Sequence, residues 1–306
     1  MRGGDRDEAW ASFWSDGGRG ASGCLPNALS KIDAPLTALW QRLAGPLPGR
    51  ARVLDLGTGD GAVLGKIKSA RRDLKLVGVD SAPVLPPAPK DVTLKPGVAM
   101  ERLPFAAASF DAVTSQFGFE YGRTSEAAPE VGRVLRPGGQ LSFVVHHAQG
   151  PILEHNLARH CALVWAARES GLIEKARAFV RARTSAALLP TPAGFRDAVA
   201  EARVRFPDQS VAEEFVRAIL ETLERSRGAK PAEALDVLNI LDKGASGDIG
   251  RIEALASAAC GAERIAAIVE DLAGAGIAMA EPAVLSETAR GRPFAWHIAG
   301  RRTASP

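Results

Sequence analysis

Cysteine, methionine and tyrosine are scarce in this chain, at three, three and one among 306 residues. Cys24, Cys161 and Cys260 lie far apart with no CxxC spacing, so they read as buried or free thiols in a reducing cytosol. No apolar run approaches the eighteen residues that a helical membrane span needs. The opening stretch, MRGGDRDEAW, is charged and glycine-rich and lacks the apolar segment of a secretory signal. A cytoplasmic location is therefore expected. No basic stripe is present either: 38 Lys and Arg are scattered among 35 Asp and Glu, a net charge of +3, and nucleic acid is not expected as a partner. Internal repeats and long low-complexity tracts are absent. What remains, 46% hydrophobic and 24% charged, is ordinary for a soluble globular chain with one large domain or a core plus a sizeable addition.

The pattern along the chain changes twice. Residues 1–50 hold EAWASFWSD, with Trp10 and Trp14 four apart and able to share a helical face, and then a helix in LSKIDAPLTALWQRL; together they predict an N-terminal helical cap. From residue 51, short apolar runs alternate with helical stretches: ARVLDLG, LKLVGVD, DVTLKPG, FDAVTSQF and QLSFVVHH as strands, with helices in DGAVLGKIKSARRD and SEAAPEVGRVL. That alternation predicts a parallel sheet covered on both faces. After Gly150 the strands vanish for over a hundred residues. LEHNLARHCALVWAARES is expected to stripe Leu153, Leu157, Cys161 and Val164, with Gly171 as a cap. SVAEEFVRAILETLERS opens on a capping box of Ser210 and Glu213 and stripes Phe215, Ile219 and Leu223. AERIAAIVEDLAGAG stripes Ile265, Ile268 and Leu272. Strand character returns in IAMAEPAVLS and PFAWHIAGRR, an expected antiparallel hairpin. The expectation is thus an α/β, Rossmann-like, doubly wound and mostly parallel seven-stranded sheet, formed by residues 51–150 and 262–306. It carries an antiparallel C-terminal hairpin, with a helical insertion over 151–261.

Residues 53–61, VLDLGTGDG, follow a strand and precede a helix. Gly57, Gly59 and Gly61 let the backbone turn sharply and let a ligand approach without a Cβ in the way. Asp80 ends the second strand about twenty residues on, where a carboxylate can accept both hydroxyls of an adenosine ribose. GTGDGA also fits the dinucleotide pattern G-x-G-x-x-A. Asp55, two residues before the first glycine, argues against a pyrophosphate on grounds of like charge. A ligand with an amino group and a sulfonium suits an acidic turn better, which points to S-adenosylmethionine.

The chain resembles the class I S-adenosylmethionine-dependent methyltransferases, in particular the small-molecule branch that includes the ubiquinone/menaquinone-biosynthesis type. The resemblance rests on VLDLGTGDG, VGVD, ERLPFAAASFDAVTSQF and EVGRVLRPGGQLSFV, and covers residues 51–146. It implies cofactor contacts from Asp55, Gly57, Thr58, Gly59 and Gly61 in the turn, and from Asp80 and Ser81 after strand two. It further implies Met100 and Glu101 beside the adenine, although the acidic residue the family often places near position 99 is Ala99 here. Gln116 and Phe117 fall where the family lines the transferable methyl, and Glu120 and Tyr121 become candidates to touch the acceptor. The product would be S-adenosylhomocysteine.

VVHHAQG at 144–150 puts His146 and His147 at the end of strand five, the edge where open α/β sheets bind ligands. Successive side chains of a strand point to opposite faces, so only one is expected to reach an acceptor, as a general base for its proton. A metal is not expected. His155 and His160, five apart on a helix, diverge by about 140°. The insertion, starting at these histidines and rich in apolar residues, is expected to line a pocket for a small hydrophobic or aromatic acceptor; a homodimer surface is the alternative. Other readings are a non-catalytic module binding an adenosine ligand, a tRNA or protein methyltransferase, and an NAD-dependent oxidoreductase.

Overall fold

The computed structural model describes residues 31–182, 191–225, 230–287 and 291–304. The expected Trp10–Trp14 helix lies outside the described residues. The chain divides into two compact units, residues 1–154 with 254–306, and residues 155–253.

The first unit is built on a sheet of eight strands. In chain order they are β1 (Arg52–Leu56), β2 (Lys75–Val79), β3 (Val92–Lys95), β4 (Phe110–Gln116), β5 (Leu135–His146), β6 (Ile277–Met279), β7 (Ala283–Ser286) and β8 (Pro293–Arg302). The spatial order is β3-β2-β1-β4-β5-β8-β6, with β7 also paired to β8. Strands β1 to β5 are parallel, and β8 runs antiparallel to β5, β6 and β7. The order reverses between β1 and β4, which is where such sheets open a crevice at their carboxyl ends.

The helices of this unit are α1 (Asp33–Ala44), α2 (Ala62–Ala70), α3 (Thr124–Val134) and α9 (Ala262–Gly274). Trp40, Leu36, Leu64 and Ile67 pack with Val53 and Val144 on one face of the sheet. Val131, Ile265, Ile268 and Leu272 pack with Leu54, Val113 and Phe143 on the other. Neighbours such as Val53 and Leu54 serve opposite faces, so the inner strands read as continuous apolar runs.

Eight strands stand where seven were expected. The run IAMAEPAVLS splits into β6 and β7 at Glu281 and Pro282, where a proline cannot donate to a ladder. The RPGG stretch is not a turn before β5 but part of it: Leu135 pairs with Phe110, and the register shifts before Ala112 meets Gln140. Gly138, at φ +76°, carries the irregularity.

The second unit is helical. It contains most of α4 (Pro151–Val164) and a π-helical turn (Trp165–Glu169). These are followed by α5 (Leu172–Ala182), α6 (Gly194–Arg205), α7 (Ser210–Arg225) and most of α8 (Pro231–Ala258). Trp165, Ile173, Val180, Phe195, Phe215, Ile219 and Leu223 form its core. Two local expectations fail here. On α4 it is Ile152, Leu153, Ala162 and Leu163 that are buried, while Leu157 and Cys161 are exposed. Ile152 and Leu153 belong to the core of the first unit, and Ala162, Leu163 and Ala166 to that of the second. The capping box does not form either, because the Glu213 carboxylate takes Arg203 at 2.7 Å and also Arg217.

Candidate active site

The glycine turn follows β1 directly. Gly57, Gly59 and Gly61 have φ of +62°, +51° and +79°, conformations open to glycine at little cost. A Cβ on Gly57 would stand 3.0 Å from the Cα of Gly118, and a Cβ on Gly118 would stand 3.0 Å from the Leu56 carbonyl oxygen. The turns after β1 and β4 therefore run main chain against main chain. Ser115 ties them together: its hydroxyl donates to the Leu56 carbonyl at 2.8 Å and accepts the Phe119 N–H at 3.0 Å.

Asp55 sits beneath the turn, 1% exposed, and accepts a hydrogen bond from the Thr114 hydroxyl at 2.8 Å. Burial pushes its carboxyl up to about 7, against the lowering effect of the Thr114 bond, with the Asp80 and Asp60 charges adding a rise. It is thus an interior group, half protonated near neutral pH, and not a fixed charge facing a ligand. The exclusion of a pyrophosphate by Asp55 loses its premise, and Asp55 serves to bind β1 to β4. Thr58 is buried beside it.

Asp80, at the end of β2, accepts the Gly59 N–H at 3.0 Å on one oxygen and the Ala82 N–H at 3.0 Å on the other. Its main-chain carbonyl accepts the Val98 N–H at 2.8 Å, which lays residues 97–101 alongside. Ser81 is exposed and Met100 half-buried. A Cβ on Gly122 would meet the Met100 Sδ at 2.6 Å, so that glycine makes room for the thioether. Glu101 accepts the Arg123 N–H at 2.9 Å and so is committed to the start of α3.

After β4 the main chain carries the densest cluster of polar and aromatic groups. The Gln116 side-chain oxygen accepts the Trp40 indole N–H at 2.7 Å. Phe117 has φ +56°, a left-handed conformation unfavourable for a side-chain-bearing residue and common where function holds it. Its ring stacks on the imidazole of His146, centroids 4.2 Å apart and planes at 25°. Glu120 and His146 are both fully buried. One Glu120 oxygen accepts the His146 Nδ1 hydrogen at 2.7 Å and the His146 main-chain N–H at 2.9 Å. That oxygen already accepts the main-chain N–H, an arrangement that suits an Nδ1–H donor and leaves the lone pair on Nε2. The Tyr121 ring meets the imidazole edge-on at 6.0 Å.

The backbone of this pair is held from the other side of the sheet. Arg264 donates to the Glu120 carbonyl at 2.7 Å, and the Cys260 N–H donates to the His146 carbonyl at 2.8 Å. His147 points to that other side, as strand alternation requires. It stacks on Trp296 at 5.1 Å, and its Nδ1 accepts the Gln149 N–H at 3.0 Å. Burial lowers its pKa.

The structure therefore gathers Asp55, Gly57, Thr58, Gly59, Gly61, Asp80, Gln116, Phe117, Glu120, Tyr121 and His146 at the carboxyl ends of β1, β2, β4 and β5, with Met100 and Glu101 beside them. It separates His147 from them. Among the described residues no three His, Cys, Asp or Glu groups come together in a metal-binding arrangement. Trp40, Thr114, Ser115, Gly118 and Arg264 belong to the site and escaped the sequence reading. Gly118 carried a signal, as a glycine between two phenylalanines just after a strand. Trp40 and Arg264 carried none, since their partners lie 76 and 144 residues away in the chain. The glycine-rich turn and the half-buried Asp80 fit a nucleoside with an amino-acid tail, a ligand that needs close main-chain approach and a ribose acceptor.

Known proteins carry the same segment. The methyltransferase domain family matches residues 54–143. The chain is 35% identical over 99 residues to a demethylmenaquinone methyltransferase of Deinococcus radiodurans, 29% of this chain and 41% of that one. It is 34% identical over 128 residues to a demethylmenaquinone methyltransferase of Thermus thermophilus, 38% of this chain and 57% of that one. It is also 42% identical over 104 residues to an uncharacterised methyltransferase of Mycobacterium tuberculosis, 32% of this chain and 41% of that one. The chain covers between 41% and 57% of the length of these relatives. Residues 54–143 thus match a methyltransferase domain, and over that segment the chain is similar to S-adenosylmethionine-dependent methyltransferases.

Proposed function

We propose that this chain transfers a methyl group from S-adenosylmethionine to a small hydrophobic or aromatic acceptor, with His146 as the general base. The buried Glu120–His146 pair carries the reading. A carboxylate on Nδ1 orients the imidazole, leaves Nε2 as the basic nitrogen and stabilises the imidazolium that forms on proton uptake. Bound at the glycine turn, S-adenosylmethionine supplies an electrophilic methyl on a sulfonium. The turn residues Gly57 to Gly61 would hold its amino-acid part and Asp80 its ribose, with Met100 and Glu101 beside the adenine. His146 takes the proton of an acceptor O–H or N–H, and Phe117 and Tyr121 supply ring faces and edges for a planar acceptor. Positioning of nucleophile and methyl can itself supply several kcal/mol of the acceleration.

The relatives named as demethylmenaquinone methyltransferases put reduced quinones first among acceptors to test. A phenolic proton lost to His146 would raise electron density on the ring oxygen and on the ring carbons alike. The helical insertion, residues 151–261, is proposed as the segment that selects the acceptor, and a cytoplasmic location goes with this chemistry. One observation favours a second reading, a binding module without catalysis: the Phe117 ring covers one face of the buried imidazole.

The experiment is incubation with methyl-labelled S-adenosylmethionine and a panel of reduced naphthoquinones, phenols, aromatic amines, peptide and tRNA. Label on a small aromatic acceptor is expected. Label on peptide or tRNA alone would overturn the acceptor class. Binding of S-adenosylhomocysteine with no transfer to any acceptor would favour the binding module.

A further inference from the structure

A second feature lies on the sheet face that carries His146, toward the start of β5. It is an open cleft of about 590 Å³, within the range of small-molecule pockets. Its floor is Ser142 of β5 with His297, Ala299 and Arg301 of β8. Those β8 residues alternate along the strand and so share one face, and Ser142 stands opposite Ala299 in the antiparallel register. The depression exists because Ser142 and Ala299 are small and leave space above the sheet. Leu39 and Leu43 of α1 wall one side, and Met279 and Leu285 of the β6–β7 segment wall the other.

The charges in the cleft are of one sign. Arg42 and Arg301 line it, and among the described residues no Asp or Glu does. The Ser142 hydroxyl and the His297 Nε2 pair at 2.9 Å on the floor. The charge of Arg42 reaches His297 and, after burial, is the second cause lowering the pKa of that imidazole. Arg301 makes only a long contact of 3.4 Å from its guanidinium to the Gly138 carbonyl, which a charge-assisted partner would outcompete. Apolar walls with two guanidinium groups in the lining describe a receptor for an apolar body with an anionic head, and the planar guanidinium fork matches a carboxylate. The cleft is also apart from the Glu120–His146 pair: Ser142 and His146 are four residues apart on one strand, roughly 13 Å.

We propose that this cleft is a second ligand site, for a small amphipathic carboxylate whose head sits on Arg42 and Arg301 and whose body lies between the α1 leucines and the β6–β7 segment. The proposal stands independently of methyl transfer.

Isothermal titration with decanoate, in the presence of saturating S-adenosylhomocysteine, tests it. One saturable site is expected with a Kd below about 1 mM, and neutral decanamide should bind about tenfold more weakly. R42E/R301E should weaken decanoate at least about tenfold, and A299L, which fills the floor, should do the same, with S-adenosylhomocysteine affinity unchanged within about twofold. If A299L fails to fold, the arginine pair decides alone. Absence of saturable binding, equal binding of decanamide, displacement by S-adenosylhomocysteine, or full affinity in R42E/R301E would each overturn the proposal.

Discussion

On one face of the end of β5, the His146 imidazole is enclosed by the Glu120 carboxylate, the Phe117 ring and the edge of Tyr121. On the other, the His147 imidazole lies flat on Trp296 and accepts a main-chain N–H two residues on. The two are adjacent in sequence and equal in type, yet a carboxylate is within 2.7 Å of one and an indole face covers the other. Strand alternation is the whole cause. What a histidine can do at a sheet edge is thus decided by which helix layer its face meets. The layer on the His146 side brings α1 and the turn after β4, and the layer on the His147 side brings the segment around Cys260.

The sharpest way to break this comparison is to alter the partner of His146. Glu120→Gln keeps the acceptor oxygen and removes the charge that stabilises the imidazolium. Its kcat should fall about ten- to hundredfold, within the range for weakened general-base catalysis, with KM little changed and the pH profile of kcat displaced. An unchanged kcat would reduce Glu120 to a packing group.

A smaller effect is expected at the cofactor end. Asp80→Asn replaces a charged acceptor by a neutral one, and charge-assisted bonds contribute about 1.5–3 kcal/mol. Affinity for S-adenosylhomocysteine in a direct titration should drop about tenfold or more. Equal affinity would move the ribose contact elsewhere.

The third prediction concerns Asp55 and stability rather than activity. Its folded carboxyl sits near 7 and the unfolded one near 3.8, so the fold favours the protonated form. The stabilisation is present in full below about pH 4 and is lost as pH rises through 7, at up to about 1.4 kcal/mol per pH unit. Asp55→Asn cannot ionise and keeps a polar partner for Thr114. Thermal melts across pH 4–8 should therefore show the variant gaining on the wild type as pH rises. A constant difference would mean that Asp55 does not titrate in this window.

The mildest change is Trp40→Phe, which keeps the ring in the core and deletes one hydrogen bond to Gln116. A loss of about 1 kcal/mol in unfolding free energy is expected by denaturant titration, together with a small rise in KM if Gln116 drifts.

The strands and the glycine turn were legible because the signals are local. VLDLGTGDG places three glycines between a strand and a helix, and Asp80 ends the next strand at a fixed spacing. The order of β1 to β5 follows from alternation and handedness. Elements governed by distant contacts were not legible. The two ends of α4 are buried in two different cores, so a single Leu157–Cys161 stripe misled. Glu213 had a capping role by spacing and lost it to Arg203, which a helix-level reading does not see. Asp55 read as a charge beside the ligand because a sequence shows its spacing from the glycines but not its burial. The alternation of the histidine pair was legible, since the two imidazoles do point to opposite faces. The pairing of His146 with Glu120 was not, because that partner lies 26 residues earlier in the chain.

The most direct test of the account is a side-by-side measurement of methyl transfer by H146A and H147A on one acceptor that the wild type turns over. The account predicts that H146A loses about a hundredfold or more in kcat, as expected for loss of a general base, with S-adenosylhomocysteine still bound. It predicts that H147A stays within about threefold, because His147 only packs. Full turnover in H146A, or a larger loss in H147A than in H146A, would contradict it.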